Sequence, residues 1–252
     1  MIAEGSYRKH FTKTNRITAK KKNNSVKRIL FKTAILILAI QSCTTTTTLK
    51  NKTSKDPDKT WGIDISHYQE IVDWNKILEH EPGFIFVKAT EGSTLQDPKY
   101  AEYYQSVRKL GIPVGSYHFF TYKTSGKDQA KNFLATAKFQ RGDLPLVLDA
   151  EFSKTIPRPD IVRKELLNFM NVIYEKTRIY PIIYCPYKYY EAYLKDCLPA
   201  ECKLWIVDYK NQPNCNWTFW QTTEKYKVAG IKGYVDFNLF YGSKKKLKSL
   251  LY

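Results

Sequence analysis

The sequence predicts an α/β fold, an irregular TIM-like barrel of five β-α units followed by three strands with few helices. Three observations predict it. Eight short apolar runs recur from Trp61 onward, each ending in polar or charged residues. The first five begin 23 to 36 residues apart, which leaves room for the crossover helix that parallel strands require. After Leu204 the starts are only 14 to 17 residues apart, too close for a full crossover helix.

The runs are 61–66, 84–90, 113–120, 145–151, 181–185, 204–209, 218–223 and 235–240. The 145–151 run is short, proline-started and bounded by Gly142-Asp143 and Pro157, the signature of a buried strand rather than a helix. Helices are expected over 99–110, 125–139, 159–174 and 186–194. Asp97 is placed to cap the first, with Pro98 in its opening turn and Gly111 after its end. In the second, Ala130, Phe133, Leu134 and Ala137 recur at helical spacing, and in the third Ile161, Val162, Leu166, Phe169 and Ile173 form one stripe. The fourth is short and rich in tyrosine.

The formal charge of +17 would suggest nucleic acid if it were spread over the fold. It is not. Residues 1–60 hold 14 Lys and Arg against 3 Asp and Glu, leaving 27 against 21 for residues 61–252. A nucleic-acid partner loses its support. Residues 1–28 are basic and lack apolar periodicity, so they read as a disordered leader. The apolar segment that follows is short for a membrane span, which needs about 20 residues, but suits a signal, and 29–43 reads as a signal and lipoprotein segment ending at Cys43. An exported chain held to the membrane through a lipidated Cys43, facing the periplasm or the cell exterior, is expected. Residues 44–60 are a Thr- and Lys-rich flexible linker, 61–243 the catalytic barrel and 244–252 a basic tail.

Four further cysteines, Cys185, Cys197, Cys202 and Cys215, suggest two disulfides in an exported protein, with three pairings open. Zinc is disfavoured, since no histidine lies beyond His118. No cofactor is expected, and the chain reads as a monomer.

The chemistry centres on the run that ends Leu148-Asp149-Ala150-Glu151. Strand side chains alternate faces, so Asp149 and Glu151 point the same way. Adjacent carboxylates resist joint ionisation, which lets one remain a protonated acid near neutral pH. An isolated D-x-E would more often cap a helix or meet a surface lysine. In a β-α barrel, however, chemistry gathers at the carboxyl ends of the strands. Those ends read Asp64 and Ser66, Lys88 and Glu91, Tyr117 and His118, Asp149 and Glu151, Tyr184, Asp208 and Tyr209, Trp220 and Gln221, and Asp236 and Asn238. Such a groove, flanked by Tyr68, Tyr117, Trp205, Tyr209 and Trp220, suits a sugar chain: aromatic faces stack on sugar rings and a raised acid protonates the glycosidic oxygen. Lys88 and Glu91 could instead pair with each other, Asp208 could hold a loop, and His118 reads first as a packed strand histidine.

Seven motifs in order carry a resemblance: Trp61-Gly62-Ile63-Asp64-Ile65-Ser66, Phe86-Val87-Lys88-Ala89-Thr90-Glu91-Gly92, Gly115-Ser116-Tyr117-His118-Phe119, Leu148-Asp149-Ala150-Glu151, the run 205–209, Trp220-Gln221 and Val235-Asp236-Phe237-Asn238. Together they resemble the family 25 glycoside hydrolases, the muramidase-type lysozymes. The resemblance implies a flattened barrel and cleavage of the β-1,4 bond between N-acetylmuramic acid and N-acetylglucosamine in peptidoglycan glycan strands. By position it makes Glu151 the general acid and Asp149 its neighbouring carboxylate, with Asp64 and Asp236 as the other groove aspartates. Tyr117, Lys88, Glu91, Tyr184, Trp205, Asp208, Tyr209, Trp220 and Gln221 are the expected substrate-binding residues. Neighbouring-group participation of the 2-acetamido group is the favoured route, beside covalent retaining and inverting ones. Two rivals stand: a non-catalytic glycan-binding lipoprotein, against which Glu151 and Asp64 argue, and a chitinase-like hydrolase on the same scaffold.

Overall fold

The structure, a computed structural model, describes residues 60–69 and 72–252. The expected leader (1–28), the signal and lipoprotein segment with Cys43, and the linker up to residue 59 lie outside the described residues.

The first half alternates strand and helix in chain order. It comprises β1 (Thr60–Ile65), α1 (Trp74–Glu79), β2 (Phe84–Glu91), β3 (Leu95–Gln96), α2 (Tyr100–Lys109), β4 (Val114–Phe119) and α3 (Gly126–Thr136). The second half continues with β5 (Val147–Asp149), α4 (Pro159–Thr177), β6 (Ile182–Pro186), α5 (Tyr187–Tyr189) running into a π-helical turn (Tyr190–Leu194), β7 (Leu204–Val207), β8 (Phe219–Tyr226), β9 (Val235–Phe240) and α6 (Lys244–Lys248).

Strands β1, β2, β4, β5, β6, β7 and β8 are parallel neighbours in that order. β9 closes the barrel between β8 and β1, antiparallel to both. The eight-residue link from β8 to β9 explains the reversal, because a short connection joins antiparallel strands whereas parallel ones need a crossover. β3 only pairs back on the end of β2. The eight expected strands are all present, and this is an α/β barrel with a helix-poor second half.

Alternation along each strand builds two apolar layers. Phe84, Phe86, Val147, Ile182, Trp205, Phe219 and Phe240 pack with one another inside the barrel. Their strand neighbours Ile85, Val87, Leu148, Ile183 and Ile206 face outward and pack with Tyr103 of α2, Phe133 of α3 and Phe169 of α4. The inner layer is crowded enough to dictate a glycine. A Cβ on Gly115 would come within 2.4 Å of the Phe86 ring, which itself stacks on Trp205 at 4.4 Å.

Sequence reasoning missed α1, β3 and α6. α1 is six residues long, too short to show a helical period, although Asp73 caps it by accepting from the Lys76 amide. The expected cap at Asp97 is only partial. Its Oδ1 accepts from the Lys99 amide, but its Oδ2 is taken by the backbone and ring of His67, and α2 starts one residue after Lys99.

The 244–252 segment, read as a basic tail, folds back onto the barrel. Its lysines are exposed, while Leu247 is buried with Phe84 and Phe240. The terminal Tyr252 stacks on Phe139 at 4.4 Å and donates its amide to the Asp143 carbonyl. The two expected disulfides are not formed: Cys185, Cys197, Cys202 and Cys215 are all free thiols. Each packs into the outer apolar layer as a small hydrophobe, and a barrel with a core this large does not depend on cross-links. Burial pushes the Cys185 thiol well up and Cys202 to about 12, which keeps them protonated.

Candidate active site

One cleft opens at the carboxyl ends of the parallel strands, where the alternation that puts phenylalanines inside the barrel turns polar. β1 supplies Asp64, β2 Lys88, β4 Tyr117 and Phe119, β5 Asp149 with Glu151 just beyond it, β6 Tyr184, β7 Trp205 and β9 Asp236. Ser66, Tyr68 and Gln69 from the loop after β1 complete the wall.

Asp236 reaches this end for a reason the sequence concealed. Because β9 runs against its neighbours, its amino end meets the carboxyl end of β1, and Asp64 pairs directly with Asp236 in the ladder. Asn238, two residues on and therefore on the same face, donates to Asp64 Oδ2 at 2.8 Å and accepts from the Trp205 indole at 2.8 Å. Gln221 donates to Asp236 Oδ1 at 3.1 Å and to the Tyr209 hydroxyl at 3.0 Å.

The acids perturb one another. Burial holds Asp64 well above the usual carboxylate range, and the Asp236 charge pushes further in the same direction. The ladder sets the two carboxyl groups side by side, so each perturbs the other. Burial still lifts Asp236 to about 6. Asp149 is raised well above its ordinary value by burial, then by the charge of Glu151, with Lys88 opposing. Glu151 is raised by burial, against a hydrogen bond from Tyr184 and the Lys88 charge.

Asp149 has a second distinguishing feature. Its Oδ1 is buried and has no hydrogen-bond partner among the described residues. Burying a carboxylate oxygen without a donor is costly, and here the cost is borne on the wall of the cleft. Gln221 Oε1 is likewise buried and unpartnered.

Of the residues expected from sequence, Asp64, Lys88, Tyr117, Asp149, Glu151, Tyr184, Trp205 and Asp236 line the cleft. Trp205 is its floor rather than its flank, almost wholly buried against Phe86 and Tyr184. Asp208 and Tyr209 line an adjoining lobe on the far side of Glu151. Glu91 is held by Lys88 at 2.7 Å and does not line the cleft. Trp220 faces the outer layer beside Trp217 at 5.7 Å, donating to the Asp208 carbonyl, so it props a loop instead of meeting the groove. His118 is fully buried behind the barrel wall, bonded to Thr90 and Gln129, with burial lowering it to about 4. Sequence reasoning missed Gln69, Phe119 and the role of Asn238, of which only Asn238 was signalled, by its two-residue offset from Asp236.

No group of three or more His, Cys, Asp or Glu among the described residues is arranged to hold a metal ion. The arrangement supports proton transfer and electrostatic stabilisation at an uncharged polar substrate. Phe152 and Tyr209, half-exposed beyond Glu151, offer apolar faces where a chain of rings could continue.

Comparison with known proteins gives a consistent answer. The family model described as glycosyl hydrolases family 25 matches residues 63–231. YegX of Escherichia coli strain K12 is 34% identical over 199 residues, covering 75% of this chain and 72% of that protein. Lysozyme M1 of Streptomyces globisporus is 28% identical over 206 residues, covering 75% of this chain and 70% of that protein. The solved structure of a family 25 glycosyl hydrolase from Bacillus anthracis superposes with a TM-score of 0.73 at 30% identity, over 78% of this chain and 95% of that one.

Proposed function

From the premise that the chain belongs to glycosyl hydrolases family 25, we propose that it is a peptidoglycan N-acetylmuramidase, a lysozyme that hydrolyses the β-1,4 bond between N-acetylmuramic acid and N-acetylglucosamine. The observation that carries this reading is the convergence of Asp64, Asp149, Glu151 and Asp236, from three separate strands, on one cleft with an aromatic floor.

Glu151 is the general acid. Burial keeps it protonated to higher pH than a free carboxylate, and it donates that proton to the glycosidic oxygen as the C1–O bond breaks. Positive charge then develops at C1 of the muramyl ring. The carbonyl oxygen of the ring's own 2-acetamido group attacks C1, forming a cyclic oxazolinium, while the amide N–H gains acidity. Asp149 Oδ1, the unpartnered buried acceptor, receives that N–H and offsets the charge. Water then opens the ring at C1 and gives its proton to Glu151, now a carboxylate, leaving a product of retained configuration. Asp64 and Asp236, both held above the usual carboxylate range, keep the acidic side of the cleft from carrying a full charge for each carboxyl group. They also offer hydrogen bonds to substrate hydroxyls.

The export reading follows from the same chemistry, since peptidoglycan lies outside the cytoplasmic membrane. The basic leader, the apolar segment and Cys43 support an exported chain tethered by lipid at Cys43. Labelled palmitate would be incorporated by the natural chain and lost in Cys43→Ala.

The functional test is digestion of purified peptidoglycan and of chitin oligomers, with mass analysis of the products. Fragments with muramic acid at the reducing end support the muramidase. Cleavage of chitin alone would favour the chitinase-like alternative, and binding without products the non-catalytic one.

A further inference from the structure

Beyond Glu151 the cleft continues into a second lobe whose walls differ in charge from the first. Phe152, Tyr187 and Tyr209 give it apolar faces, and Lys188 and Lys210 bring two ammonium groups. Both lysines are exposed, and neither pairs with a carboxylate among the described residues. The lobe's own acids are Glu151 and Asp208. Asp208 is spent on its loop, its Oδ1 accepting the amides of Lys210 and Asn211 at 2.9 and 3.1 Å. The main cleft, by contrast, carries four carboxyl groups and one buried cation, Lys88, already bound to Glu91. An anionic group on the substrate is repelled from the centre and welcomed one step along.

A muramyl residue bears such a group. Its 3-O-lactyl ether is the attachment point of a short peptide with free carboxylates, a feature that plain N-acetylglucosamine polymers lack. We propose that the lobe bounded by α5 and the loop after β7 binds this carboxylate-bearing stem peptide, with Lys188 and Lys210 meeting its carboxylates and the aromatic faces covering its backbone. This rests on the muramidase reading. It makes the lobe a specificity determinant: the enzyme acts faster on glycan whose peptides are present and charged than on glycan without that charge.

The test uses the full-length protein on two forms of one wall preparation, one untreated and one whose stem carboxylates have been converted to neutral amides by carbodiimide coupling to ethanolamine. Each exposed ion pair contributes several-fold at most, so the natural protein should show kcat/KM about tenfold higher on the untreated wall. That ratio should fall to about one in Lys188→Gln/Lys210→Gln and persist in Lys188→Arg/Lys210→Arg. It should also shrink as salt is raised, because the contacts are exposed. A double glutamine variant that keeps the natural ratio, or a natural protein indifferent to the blocking, overturns the stem-peptide site while leaving the muramidase intact. Release of no muramyl product from either wall overturns the muramidase reading, and the site with it.

Discussion

Asp64 lies directly across from Asp236 in the antiparallel β1–β9 ladder, and the charge of Asp236 adds to burial in raising Asp64 above the usual carboxylate range. Three polar neighbours fix the pair: Asn238 on Asp64, Gln221 on Asp236, and Trp205 on Asn238. A buried pair of acids is tolerable when one proton is shared and the remaining lone pairs are satisfied.

Asp64→Asn keeps a polar group across from Asp236 and an oxygen to accept from Asn238, whereas Asp64→Ala keeps neither. The asparagine variant should therefore retain several-fold more kcat/KM and a higher Tm than the alanine variant. Steady-state kinetics and thermal unfolding of the two, side by side, check this.

The raised acids also set the sign of the pH dependence of stability. Asp236 titrates near 6 in the folded protein and near 3.8 when unfolded. Below both values the two states bind the same protons. Between them the unfolded chain has lost a proton that the folded one keeps, so stability falls as pH rises and levels off above about 6. Asp64, Asp149 and Glu151 act in the same direction. Tm should rise when pH is lowered from 7 towards 5, and Asp236→Asn should weaken that slope. Activity should fall as pH rises and Glu151, held protonated by burial, ionises.

Leu247 closes the end of the barrel opposite the cleft and is almost fully buried. Leu247→Ala should cost about 2–4 kcal/mol from lost burial and the cavity left behind, while Lys245→Ala, on an exposed side chain of the same helix, should change stability little. Denaturant titration of both separates a seated helix from a solvated tail.

Free thiols at Cys185, Cys197, Cys202 and Cys215 predict that a reducing agent leaves Tm unchanged. A drop of several degrees on reduction would indicate cross-links instead.

Much of this was legible in the chain. Strand alternation alone put Asp149 and Glu151 on one face, and the spacing of the apolar runs separated the five β-α units from the helix-poor end. Alternation and spacing do not encode strand direction, which tertiary closure decides. Asp236 was read at a carboxyl end, but it works from an amino end because the last strand is reversed. Trp220 was assigned to the groove by its position in a strand, yet its side chain falls on the outer face while Phe219 and Gln221 point in. Lysine density hid Leu247, and an even cysteine count suggested bridges that a well-filled core does not need.

Asp149→Asn removes the carboxylate acceptor for the acetamido N–H while preserving shape. The rate on peptidoglycan should fall by about a hundredfold or more, and proton NMR of the natural enzyme's first product should show the β anomer. An initial α anomer would exclude the neighbouring-group route.

The most direct test of the central claim is turnover of peptidoglycan by Glu151→Gln, with circular dichroism to establish that the barrel is intact. Loss of the general acid should lower kcat by at least about a hundredfold with an unchanged spectrum. A folded Glu151→Gln protein that still releases muramyl fragments at a rate close to the natural one would contradict the assignment of the proton donor and the mechanism built on it.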